Sequence, residues 1–248
     1  MPIPQNPKIF IGINTLSTIN SMVYSNHLEF FTQLGREYPR GQVSLFTPRR
    51  FSIDTMRNMA AKLAVENDYD YLLFIDDDIL LEATALKQLI DRDKDIIAGL
   101  TMIRGYPYRP MMFRFSSEGA LGIFEEYEKA TDSDGLVQVD AVGCSFTLIK
   151  VDVIRKMSPP YFVTGAMNTE DVYFCLKALQ AGAEIFVDTL VPTGHLLDPQ
   201  ILTPRNAKRL KEIAEETDPT LLPKPVDRGE EYFERNGITL GDPDVETV

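Results

Sequence analysis

Three consecutive carboxylates, Asp76-Asp77-Asp78, close the apolar run that passes through Tyr71-Leu72-Leu73-Phe74-Ile75. Like charges this close repel one another unless a cation shares them. Side chains alternate along a strand, so a strand that persists through the triplet would project Asp76 and Asp78 together as a pincer of hard oxygens suited to Mg²⁺ or Mn²⁺. Ligands of open α/β sheets bind outside the carboxyl ends of the strands, and these acids stand at such an end. A solvated turn after a core strand is the plainer alternative. Other residues with chemical potential are scattered along the chain. Arg57 falls in the first turns of a helix, where a positive charge opposes the macrodipole and so points to a ligand, with an ordinary surface arginine as the alternative. Glu170 and Asp171 open another helix, a place where acids also serve as simple first-turn residues. His195 follows a strand. Between Met102 and Phe115, Arg104, Tyr106, Tyr108, Arg109 and Arg114 form a concentrated mixture of cations and aromatics on loop-like sequence. Tyrosines stack on sugars or bases and arginines hold phosphates, so binding of a sugar- or phosphate-bearing ligand is expected there.

The elements that must position these residues alternate in type. Lys8 to Ile13 reads as a buried strand, followed by a polar turn through Thr15 and a helix to about Tyr38. Val43 to Thr47 reads as a strand. From Asp54 a helix follows with Met56, Met59, Ala60, Leu63 and Ala64 on one face, leaving Arg57 and Asn58 off that stripe. After the acidic strand, Leu81 to Arg92 has helical spacing and Asp95 to Thr101 returns as a strand. This alternation predicts a parallel sheet with helices on both faces, as in a nucleotide-binding half-domain. The glycine fingerprint of dinucleotide sites is missing from the first strand-to-helix turn. Farther on, Val137 to Lys150 carries the alternation Val142, Cys144, Phe146, Leu148 of a core strand, and Asp152 to Met157 a short helix. The helix opened by Glu170 has Val172, Cys175, Leu176 and Leu179 on its stripe and ends at Gly182. Ile185 to Thr189 is a strand, and Thr203-Pro204 opens a last helix before an acidic tail from Asp218 that lacks apolar periodicity.

Composition narrows the classes. At 248 residues and 44% hydrophobic, the chain can bury a large core and is expected to form one domain in two lobes. A net charge of −12 and a pI near 4.7 oppose non-specific binding to nucleic acid or an anionic membrane. Apolar runs fall short of the ~20 residues of a membrane span, and the opening Met-Pro-Ile-Pro-Gln-Asn-Pro has no signal-peptide pattern, so a cytoplasmic protein is expected. Cys144 and Cys175 lie at apolar-periodic positions and are expected as buried free thiols. There is no internal repeat.

Taken in order, Arg57-Asn58, Leu72 to Asp78, Gly143-Cys144-Ser145-Phe146, Thr169-Glu170-Asp171-Val172 and His195 make a set that resembles the GT-A glycosyltransferases, especially the inverting family-2-like members. The similarity spans roughly residues 8 to 200. It implies a GT-A fold, a Rossmann-like central mixed sheet flanked by helices, over residues 1–202, with a nucleotide-sugar donor half at 1–101, an acceptor half at 102–202, and a C-terminal helix and acidic tail at 203–248. It also implies a metal-dependent transferase moving a hexosyl or pentosyl group from a nucleotide-diphosphate donor to a hydroxyl of a glycan or other sugar-containing acceptor. On that resemblance Asp76 and Asp77 look like donor contacts, Asp78 like the principal ligand of Mn²⁺ or Mg²⁺, with Asp76 sharing the Asp-x-Asp metal site, and His195 like a further ligand. Thr15 and Arg57 look like nucleoside contacts, Asp171 like the base that receives the acceptor proton, and Glu170 like its neighbour or an acceptor clamp. One departure is plain: Phe46-Thr47-Pro48-Arg49 holds no acid after the second strand, where many relatives read the nucleoside with one.

Other classes fit parts of the pattern. Asp76-Asp77-Asp78 also matches the Asp-x-Asp of haloacid-dehalogenase-like phosphatases, although that family places it on the first strand. A non-catalytic, metal-dependent carbohydrate-binding module is a third reading. For the acceptor, a hydroxymethylated DNA base is the minority alternative, because arginine-aromatic loops also suit splayed bases.

Overall fold

A computed structural model describes residues 6–15, 18–115, 121–123, 135–165, 169–197 and 200–217. The acidic tail from Asp218 and the residues 166–168 before the Glu170 helix lie outside the described residues, as does most of the glycine-bearing stretch before Gly135.

A seven-stranded sheet forms the centre, built from β1 (Ile9–Asn14), β2 (Val43–Phe46), β3 (Tyr71–Asp76), β5 (Ile96–Leu100), β8 (Leu136–Val139), β10 (Phe146–Lys150) and β11 (Ile185–Pro192) in the order β2-β1-β3-β10-β5-β11-β8. The strands β2, β1 and β3 are mutually parallel, and β11 runs parallel to β5. Strand β10 is inserted antiparallel between β3 and β5, and β8 closes the far edge antiparallel to β11. The expected Rossmann-like mixed sheet flanked by helices is therefore the architecture of the chain. Two small sheets accompany it. One joins β4 (Ile79–Leu80), β12 (Gly194–Leu197) and β13 (Gln200–Leu202), and the other β6 (Met112–Phe115), β7 (Leu121–Ile123) and β9 (Ala141–Val142).

Alternation along the strands sends side chains into two separate cores. Leu72 and Phe74 face α2 (Ile53–Glu66), α4 (Val151–Arg155) and α5 (Glu170–Gln180), packing with Ala60, Ala61, Ile154, Phe162 and Phe174. Leu73 and Ile75 face α1 (Ser21–Glu37) and α3 (Ala85–Asp91), packing with Phe30, Leu34, Leu86 and Leu89. Such fully buried side chains each contribute about 1.5–3 kcal/mol. Helix α1 opens where the Asn20 side chain accepts from Met22 N–H, and α5 ends before Gly182, whose φ of +82° is the left-handed conformation expected of that cap. Both cysteines are buried free thiols, as expected.

Three local readings are corrected. The helix that follows the acids is shorter than Leu81 to Arg92, because Ile79 and Leu80 are drawn into β4 and α3 begins only at Ala85. The stretch 137–150 is three strands, not one; the break at Gly143 to Ser145 lets β9 pair with β6 and β10 with the central sheet. Strand β11 runs on past Thr189 to Pro192, with its register to β5 shifting between Asp188 and Pro192, and His195 follows it within β12. The last helix is α6 (Pro204–Thr217). No helix among the described residues is long and apolar enough to cross a membrane.

Candidate functional site

The carboxyl ends of β1 and β3 lie side by side, Asn14 opposite Asp76, so the first acid of the triplet emerges beside Thr15. Strand β3 stops at Asp76, and Asp77 and Asp78 form a turn before β4. Alternation therefore ends one residue into the triplet, and each acid meets its own partner. The Asp76 carboxylate pairs with Arg57 Nη2 at 3.1 Å. Asp77 accepts from the Thr15 hydroxyl. Asp78 Oδ2 lies 3.4 Å from His195 Nε2 and 2.9 Å from Arg104 Nη1. Different arginines thus hold the two carboxylates, Arg57 on Asp76 and Arg104 on Asp78.

Arg57 is the centre of the cluster. Although the helical stripe left it off the buried face, it is only 3% exposed, packed on the same side of α2 as Ala60, Ala61 and Ala64. Its second nitrogen, Nη1, stands 3.2 Å from Glu170 Oε1, and its guanidinium lies over the Phe74 ring at 5.6 Å. Burial works against its charge, but Asp76, Glu170 and Asp171 outweigh that and raise it above its ordinary value. Burial also raises the Asp76 carboxyl, against the pull of Arg57 and with the push of Asp78 and Asp171. Glu170 is raised by burial, again opposed by Arg57 and assisted by Asp171. Asp77 is pushed up to about 6 by partial burial and by Asp78 and Asp76. For Asp78, burial acts upward, yet the hydrogen bond and charge of His195, together with Arg104, leave it lowered.

Short strands and side-chain clamps deliver these groups. Pairing of His195 with Ile79, and of Leu196 N–H with the Asp78 carbonyl at 2.8 Å, sets β12 beside the acidic turn. Helix α1 grips the same segment from the other side: Asn26 exchanges two hydrogen bonds with Leu81, and His27 Nε2 lies 2.8 Å from the Ile79 carbonyl. Asn58 accepts from the Tyr161 and Phe162 amides and donates to the Phe162 carbonyl at 2.6 Å, fixing the Phe162 ring that stacks on Phe174 of α5. A buried hydroxyl chain, Ser145 to Thr101 to Thr193, ties together the ends of β10, β5 and β11 behind the site. Sequence reading missed Asn26, His27 and this chain, because single polar residues carry no periodic signal. The adjacency of Arg57 to Asn58 in the motif was the one available hint for the clamp.

Asp171 stands in the first turn of α5. Its Oδ1 accepts from the Thr169 hydroxyl and from Val172 N–H. Its Oδ2 lies 3.4 Å from where a Cβ on Gly143 would stand, and Met111 Cε crowds the same point, so only glycine fits between them. Thus Asp171, Glu170, Arg57, Asp76, Asp78 and His195 share one neighbourhood. The expected acceptor group divides. Arg104 belongs with Asp78, the Tyr106 hydroxyl donates to Glu215, and Tyr108 packs on Met102, Leu202 and Ala207. Arg109 contributes its carbonyl to Ile103 N–H at 2.7 Å.

Whether these residues suit a divalent cation is a question of donor chemistry. His195 Nδ1 lies 2.7 Å from the Met102 carbonyl, which can only accept, so Nδ1 carries a proton. In the neutral ring Nε2 then turns a lone pair toward the Asp78 carboxylate, and two acceptors 3.4 Å apart call for a proton or a cation between them. Asp78 and His195 therefore fit as two ligands. Among the described residues no group of three or more His, Cys, Asp and Glu side chains is arranged to hold a metal ion. A separate cavity of about 750 Å³, bounded by α2 and Pro159 to Tyr161, has none of the site acids in its lining.

No protein-family model matches the sequence, and no curated protein does. Among solved structures, the crystal structure of A197 from STIV is similar with a TM-score of 0.54 and 20% identity, covering 80% of this chain and 91% of that one. That likeness is one of fold. The crystal structure of GalNAc-T7 with UDP, GalNAc and Mn²⁺ aligns at a TM-score of 0.48 and 12% identity, covering 95% of this chain and 55% of that one, a likeness too slight to define either fold or function here.

Proposed function

We propose that this protein is a metal-dependent glycosyltransferase of the GT-A type, moving a sugar from a nucleotide-diphosphate donor to an acceptor hydroxyl with inversion. The observation that carries the reading is the buried Arg57, which ties the donor-side acid Asp76 to Glu170 at the head of the acceptor-side helix α5. A cation buried between two acids from distant parts of the chain holds the two sides of a bond-transfer site in register.

In this reading Asp78 and His195 hold a divalent cation, which offsets the charge that grows on the leaving diphosphate. Thr15, Asp76 and Asp77 line the donor side, with Arg57 fixing Asp76. Asp171 accepts the proton of the attacking hydroxyl at its carboxylate, on the face opposite the leaving group, as inversion requires. Glu170, committed to Arg57, positions the helix start. Tyr106 and Arg109 remain the acceptor-side candidates, with a sugar-containing acceptor preferred to a DNA base on grounds of overall charge. The phosphatase alternative needs its acids on the first strand, whereas the triplet closes the third.

A thermal-shift screen of nucleotide diphosphates and nucleotide sugars, with and without Mn²⁺, tests the reading. A matching donor at 100 times its Kd stabilises the native state by about 2.7 kcal/mol. The expected result is a shift that needs Mn²⁺ and is lost in Asp78→Asn and His195→Ala. If no nucleotide diphosphate shifts the melting temperature under either condition, the reading is wrong.

A further inference from the structure

Two nitrogen-bearing side chains converge on a single oxygen. Arg104 Nη1 and His195 Nε2 both approach Asp78 Oδ2, at 2.9 and 3.4 Å. His195 is buried, whereas the Arg104 side chain is 53% exposed. Its base is nonetheless fixed. The loop from Met102 to Pro110 closes on itself through a bridge between those two residues, and Ile103 N–H donates to the Arg109 carbonyl. The far side of the loop rests on α6 through Tyr108 and through the Tyr106 hydroxyl on Glu215. Arg104 is therefore a long side chain swinging from an anchored point, with its charge on the oxygen that a divalent cation would need.

A guanidinium and a divalent cation on one oxygen repel each other, so the two compete. We propose that Arg104 is a cation-exchange residue: it pairs with Asp78 in the ligand-free protein, is expelled when a divalent cation takes Asp78 and His195, and then binds the diphosphate of the incoming ligand. The proposal rests on the reading of the site given above. The chemistry favours a diphosphate as the second partner, because the expelled guanidinium remains within one side-chain length of Asp78. Its planar fork of donors matches phosphate oxygens two at a time. Metal binding thereby presents an arginine to the anion, and linkage makes the effect reciprocal: the anion, by holding Arg104, strengthens the metal.

The test uses the full chain, with Mn²⁺ alone titrated by the electron paramagnetic resonance of the free ion. Inorganic pyrophosphate is then titrated by calorimetry with Mn²⁺ present, corrected for the complex the two form in solution. In Arg104→Gln, Mn²⁺ alone binds about two- to fivefold more tightly, since a half-exposed competitor has gone. Pyrophosphate with Mn²⁺ binds about tenfold more weakly. Arg104→Lys, which keeps the charge without the fork, restores the Mn²⁺ affinity toward wild type and the pyrophosphate affinity only in part. Mn²⁺ affinity that is unchanged or weakened in Arg104→Gln overturns the exchange, as does undiminished pyrophosphate affinity. A wild-type chain that binds both probes while Arg104→Gln matches it sinks the exchange alone. A wild-type chain that binds neither sinks the underlying reading as well.

Discussion

Asp171 and Asp77 make the residue scale testable, because one is expected to matter for chemistry and the other to work against stability. Capping and catalysis give different outcomes for Asp171→Asn. Asparagine preserves size and much of the capping ability, but it cannot serve as a base. Transfer should fall by about 10²-fold or more with a near-native melting temperature, as measured by product formation and calorimetry. Wild-type rates in this variant would remove Asp171 from the role of base. Asp77 is an acid whose pKa rises on folding, from its ordinary 3.8 to about 6. Folding therefore favours its protonated form, and the associated stability is full below pH 3.8 and gone once the pH has passed about 6. Asp77→Asn should then raise stability at pH 7.5, by up to about 1 kcal/mol after allowance for solvent screening, and change little at pH 4. Equal shifts at the two pH values would refute the burial argument. Arg57 shows where sequence reading stops at this scale. Between alanines and methionines it looks like a polar interruption, and only Asp76 and Glu170, remote in sequence, make its burial affordable.

Elements long enough to show a period were legible. The strands at Ile9, Val43, Tyr71 and Ile96, the helix stripes of α2 and α5, and the glycine cap at Gly182 all follow from local spacing. The two-residue strand β4 and the break between β9 and β10 do not, since neither is long enough to have a period, and both depend on partners far along the chain. These are the features that bring His195 to Asp78 and Gly143 to Asp171. The bulge in β11 belongs with them. It carries the Val191 carbonyl to within 2.9 Å of where a Cβ on Gly99 would stand, and Phe146 Cδ1 is equally near. Only glycine at position 99 lets the bulge close on β5, after which Thr193, Gly194 and His195 lead back toward the acidic turn. Gly99→Ala should therefore cost about 1–3 kcal/mol by denaturant unfolding and should weaken Mn²⁺ binding at a site it does not touch. A variant with lowered stability but unaltered Mn²⁺ affinity would separate the bulge from the placement of His195.

For the whole molecule, the two-half organisation read from the sequence describes the order of parts more than their independence. Strand β5 lies within residues 1–101, but its two neighbours in the sheet, β10 and β11, come from the second half. A fragment of residues 1–101 would leave one side of β3 and both sides of β5 without partners. It should give a narrow, poorly dispersed amide NMR spectrum, where an autonomous donor lobe would give a dispersed one. Composition and alternation could not show this, because the residues of an inserted antiparallel strand look like those of any other core strand.

The insertion of β10 also sets a schedule. On a ribosome adding about 5–20 residues per second, roughly 2–10 s separate the appearance of β5 from that of β10. During that interval Leu72 to Ile75 and Ile96 to Leu100 present bare, apolar strand edges, the surfaces through which nascent chains most readily associate with one another. The strand that brings Gly143 and Ser145 to the site is thus also the one whose arrival ends the period of greatest exposure to aggregation.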